Sequence, residues 1–124
     1  MRKVLGLVVI AAWMAMVGGY ALADMPMGKG APPLKVAAGS KAEEHNKEGI
    51  EHYNQGHWDV AVKHFTAAVK EDPNSAEAHY NVALALDKSG DHKAATEHFR
   101  KAFELGKNNP DIQNSGILKA HLKM

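Results

Sequence analysis

The chain contains no cysteine, which excludes disulfides, thiolate metal sites, a cysteine nucleophile and a lipid-modified cysteine behind a leader. It also lacks a charge bias. There are 15 Lys and Arg against 14 Asp and Glu, and without Arg2 and Lys3, which fall in a segment expected to be removed, 13 basic residues remain. A near-neutral chain with interspersed signs has no basic stripe to neutralise phosphates, which argues against nucleic acid as a partner. At 124 residues there is no room for a multidomain enzyme. No nucleophile or acid pair stands beside a histidine in a catalytic pattern, so neither enzymatic activity nor a cofactor is expected.

The first 23 residues read as an address. Arg2 and Lys3 give a positive start, Val4 to Val17 an almost unbroken apolar run, and Ala21-Leu22-Ala23 the small-x-small pattern before a signal-peptidase cut. Cleavage is expected between Ala23 and Asp24, which places the mature protein in the periplasm of a bacterial cell envelope. The alternative is an inner-membrane anchor formed by residues 4–22, which approach the ~20 apolar residues that span a bilayer. Gly18, Gly19 and the extended stretch around Pro26 favour the cut. Residues 24–39, DMPMGKGAPPLKVAAG, show neither helical nor strand periodicity and read as a flexible Pro/Gly linker.

After Ser40 a repeat organises the chain. Laying 42–75 over 76–109 superimposes Gly56 on Gly90, Ala61 on Ala95, Phe65 on Phe99 and Ala68 on Ala102; His45 falls on His79 and His64 on His98. Self-similarity at this period marks stacked helical hairpins, in which small residues let helices approach and large apolar ones fill the space behind. Gly49, Ala61 and Ala68 are the small residues of the first copy, Phe65 and Phe99 the core aromatics, and Trp58 closes the first hairpin. Helices are predicted near 41–54, 57–71, 75–89 and 92–105. Ser40-x-x-Glu43 reads as a capping box, Asn74 or Ser75 with Glu77 opens the third helix, Asp91 caps the fourth, and Gly56 and Gly90 sit at left-handed helix ends. Pro110 restarts the chain after Gly106, and Ile112, Ser115, Leu118 and Leu122 fall on one face of a predicted capping helix at 110–124.

These residues resemble the tetratricopeptide repeat family. Gly49, Gly56, Trp58, Ala61, Phe65, Ala68 and Pro73 carry the likeness in the first copy. Ala76, Tyr80, Asn81, Ala83, Leu84, Leu86, Gly90, Ala95, Phe99 and Ala102 carry it in the second. The resemblance implies an all-α fold of two antiparallel helix-turn-helix repeats and a capping helix, a fragment of a right-handed α-solenoid. In the first helix His45, Glu48 and His52 replace large apolar residues, as a terminal repeat facing water allows, whereas Val82 to Leu86 suit a helix packed on both sides.

The resemblance implies a concave groove lined by Asn46, Lys47, Ile50, Tyr53 and Asn54 from the first copy and by Tyr80, Asn81, Leu84, Asp87 and Lys88 from the second. Aromatic, aliphatic and amide groups together suit the binding of a protein or peptide. The expected function is therefore a non-enzymatic adaptor or scaffold. Ile50, Tyr80 and Leu84 at these spacings also fit a core. Two repeats bury a marginal core, which favours self-association into a homo-oligomer. The alternative is a small periplasmic metal-handling module using Met25, Met27 and some of the eight histidines. No histidine pair has the spacing of a helical zinc site, the histidines read as solvated, and no metal site is predicted.

Overall fold

The computed structural model describes residues 31–124, which form one compact unit. The expected signal segment, Met25 and Met27 lie outside the described residues. Six helices run α1 (Glu43–Asn54), α2 (Trp58–Glu71), α3 (Ala76–Ser89), α4 (His92–Leu105), α5 (Pro110–Gln113) and α6 (Gly116–Leu122), with no strand among the described residues. Each of the first four packs on the next, and α4 also carries α6. This is the helical-repeat fold.

The chain turns where local chemistry dictates. Gly56 (φ 82°) and Gly90 (φ 100°) take the left-handed conformation just beyond α1 and at the end of α3, a region a Cβ disfavours. The Ser75 hydroxyl accepts from the Ala78 N–H, and the Asp91 carboxylate from the Ala94 N–H, each satisfying a free amide at a helix start. The first helix departs from its expected capping box. Ala42 stands at the N-cap without a side-chain bond, the Ser40 hydroxyl is buried without a partner, and Glu43 Oε1 instead accepts from the Gly39 N–H at 2.6 Å. A turn at Ala37–Ser40, closed by Ser40 N–H donating to Ala37 O, carries the serine away from the helix end.

The predicted capping helix is two short helices. Asn109 opens α5 by accepting from Asp111 N–H, and Ser115 opens α6 by accepting from Leu118 N–H. The Ser115 hydroxyl also bonds the Tyr80 hydroxyl at 2.7 Å. Holding that partner on α3 while capping α6 takes Ser115 out of helical geometry and breaks the run.

The core lies between the hairpins. Phe65 and Phe99 are fully buried among Ala61, Ala83, Ala95 and Ala102. An ideal Cβ on Gly49 would lie 2.5 Å from the Phe65 ring, so a side chain there collides with the aromatic. Along α3 every residue from Ala78 to Ala85 is buried, as a helix between two neighbours requires.

Candidate functional site: a groove holding an extended chain

The first helix of each hairpin supplies one buried asparagine: Asn46 from α1 and Asn81 from α3, at 1% and 0% exposure. A buried primary amide must find partners for two donors and an acceptor. Asn81 Nδ2 donates to Asn46 Oδ1 at 2.7 Å, joining the two repeats. The remaining groups turn to the chain itself. Leu34 N–H donates to Asn81 Oδ1 at 2.8 Å, while Leu34 O accepts from Asn81 Nδ2 at 2.7 Å and from Asn46 Nδ2 at 3.0 Å. Asn81 thus meets the N–H and C=O of one residue, as a neighbouring strand does in an antiparallel ladder.

Residues 31–38 run without helix or strand assignment against the helices. Ala31 and Leu34 pack on the main core, and Val36 on Ala42, Ala68 and Ala78. Lys35, Val36 and Ala38 share a hollow with Glu43, Lys47, Ile50 and Glu51. The reading of 24–39 as a flexible linker therefore fails for residues 31–39. Periodicity could not reveal this, because the segment is fixed by the Leu34 backbone and a few apolar contacts without helical or strand spacing.

The expected groove residues separate into several settings. Asn46 and Asn81 hold the segment, with Lys47 and Ile50 beside it. Tyr53, Tyr80 and Leu84 are core residues instead. Tyr53 packs edge-on against Trp58, and Tyr80 edge-on against Phe99. Burial, with smaller contributions from Tyr80 and Asp87, pushes the Tyr53 hydroxyl up to about 12, and that hydroxyl has no hydrogen-bond partner. Burial also raises Tyr80, against the opposing effect of its bond to Ser115. Asn54 is exposed. Asp87 accepts from His92 Nδ1 at 2.7 Å and His121 Nε2 at 2.8 Å, binding α6 to the second hairpin. The Lys88 ammonium lies 5.4 Å from the centre of the Trp58 ring, a cation–π contact between the repeats.

The histidines are not scattered. His45 and His64 flank Glu48, His52 stacks on His64 and meets His57, His79 bonds His98, and His92 and His121 share Asp87. His79 Nε2 also donates to Pro73 O at 2.8 Å. Burial lowers the pKa of both His79 and His98, assisted at His98 by His79.

The family model for the tetratricopeptide repeat matches residues 46–110. The chain belongs to the tetratricopeptide repeat family. An uncharacterized protein of Methanocaldococcus jannaschii is 34% identical over 67 residues, covering 54% of this chain and 78% of the relative. Tetratricopeptide repeats mediate protein–protein interaction and are non-catalytic. In this member of the family, Asn46 and Asn81 are engaged by residues of the same chain.

Proposed function

We propose that the chain is an exported, non-enzymatic adaptor of the cell envelope that binds another protein as an extended segment between α1 and α3. Its own residues 31–39 hold that place until a partner displaces them. The carrying observation is the bonding of Asn81 to both backbone groups of Leu34, with Asn46 on the same carbonyl. Amides that read a backbone accept any segment whose side chains fit beside them. The leader-like pattern of residues 1–23 in the sequence supports the envelope as the compartment.

The test uses a fluorescent peptide with the sequence of residues 30–39, GAPPLKVAAG. A Leu34→Pro chain, deprived of the N–H that Asn81 receives, should bind this peptide at least about fivefold more tightly than the wild type, since one lost bond to a buried amide is worth roughly 1–3 kcal/mol. Adding Asn46→Ala and Asn81→Ala should abolish that gain. Equal binding by both chains would remove the groove from the reading. A dimer that dissociates in Leu34→Pro would instead make the partner a second copy exchanging its segment. Export is tested separately by the mass of the protein recovered from the envelope fraction, expected to begin at Asp24.

A further inference from the structure

The antiparallel hairpin of α1 and α2 brings three ligand-type atoms together away from the asparagine groove. His45 and Glu48 stand one turn apart on α1, and His64 faces them from α2. Glu48 Oε1 lies 3.2 Å from His64 Nδ1 and 3.5 Å from His45 Nδ1, and all three atoms fall within 4.8 Å of one another. His45 Nδ1 is closed to solvent and has no hydrogen-bond partner. The cluster therefore contains an unmet nitrogen directed toward a carboxylate.

The spacing distinguishes this cluster from the other of the same composition. Around a tetrahedral zinc ion with bonds of about 2.0–2.1 Å, neighbouring ligand atoms stand roughly 3.3–3.4 Å apart. The Glu48 contacts bracket that separation. At Asp87 the contacts to His92 and His121 are 2.7 and 2.8 Å, ordinary hydrogen-bond lengths, and His121 Nδ1 is already engaged by the Thr96 hydroxyl at 2.8 Å. That network is complete by itself. The His52 ring, parallel to His64 within 6° at a centroid distance of 5.3 Å, limits the freedom of His64.

The second repeat supplies an internal control. The histidines matching His45 and His64 are His79 and His98, which meet directly, Nδ1 to Nδ1, at 3.1 Å. Where the first repeat has Glu48, the second has the buried Val82. The carboxylate is what turns a histidine pair into a three-ligand set.

We propose that His45, Glu48 and His64 bind one borderline divalent transition-metal ion, of which zinc is the type, through two imidazole nitrogens and a carboxylate oxygen. Water completes the coordination. The ion ties α1 to α2 and stiffens the first repeat, a role separate from peptide binding in the groove.

The experiment is calorimetric titration of zinc into the untagged, chelator-treated full-length chain, beside Glu48→Gln, His64→Gln and Asp87→Asn chains whose helical circular dichroism matches the wild type. The expected result is one zinc per chain at micromolar affinity or tighter, weakened about tenfold or more by Glu48→Gln and by His64→Gln and unchanged by Asp87→Asn. Weaker wild-type binding, a smaller loss in either Glu48→Gln or His64→Gln, or a loss on Asp87→Asn overturns the assignment. A second readout uses the full-length wild-type chain alone: zinc should shift the side-chain nitrogen resonances of His45 and His64, and unshifted resonances at saturating zinc also overturn it.

Discussion

The two repeats place histidines at matching positions and give them opposite surroundings. In the second, His79 on α3 is buried and bonded both to His98 of α4 and to Pro73 O. In the first, His45 and His64 are partly exposed around a carboxylate. The backbone scaffold is common to both, so the difference comes from what lies behind the pair. An outer hairpin has one face toward water and tolerates Glu48, whereas α3, enclosed by two helices, requires Val82 there. Position in the stack decides whether one residue type becomes a packing group or a ligand.

The same contrast holds for the small residue at the helix crossing, Gly49 in the first repeat and Ala83 in the second. Making the first repeat like the second by Gly49→Ala should cost up to about 2 kcal/mol. Collision with Phe65 costs roughly 1–3 kcal/mol, offset by up to about 1 kcal/mol from better helix propensity. Urea unfolding would measure it, and Phe65→Leu in the same chain should recover part of the loss. Undiminished stability would mean that the ring shifts freely and the crossing is looser than its geometry indicates.

A smaller effect separates the helix starts. Ser75→Ala removes the cap of α3 and should cost about 1 kcal/mol. Ser40→Ala removes a buried hydroxyl that has no partner and should cost nothing or stabilise slightly. Thermal midpoints of the two variants would decide, and equal losses would contradict the different roles of these serines.

The third effect is slight near neutral pH and grows with acid. Burial lowers the folded pKa of His79 and His98 below the ordinary 6.5, so the unfolded chain binds their protons more readily. The stability from this pair is complete above about pH 6.5, declines as pH falls below that value, and stops declining below the folded pKa values. Denaturation midpoints at pH 7.5 and 5.5 should differ less in a His79→Gln, His98→Gln chain than in the wild type. An unchanged difference would show that other groups carry the acid sensitivity.

The helical architecture was legible because α2, α3 and α4 are governed by apolar spacing and by end residues such as Ser75, Gly90 and Asp91, which act within a few positions. Expected boundaries differ from Trp58–Glu71 and Ala76–Ser89 by a residue and coincide with His92–Leu105. What escaped depends on contacts remote in sequence. Ser115 is drawn out of a helix by Tyr80, 35 positions earlier, and the fixed path of residues 31–39 rests on amides from two helices. Tyr53, Tyr80 and Leu84 look alike as groove and as core because helical spacing gives the direction of a side chain and not the identity of its neighbour. The histidine clusters were missed for the same reason, since His64 reaches Glu48 only once the hairpin closes.

The bond between Leu34 and Asn81 spans 47 positions and encloses the whole first hairpin. The full set of bonds to Leu34 needs Asn46 and Asn81 side by side, as they stand once the two hairpins have docked. Closing so long a loop before that moment would lose chain entropy with nothing to offset it. Loop-closure entropy thus predicts that residues 31–39 dock last in folding, and in pulse-labelling hydrogen exchange the Leu34 amide should gain protection after the amides of α1 to α4.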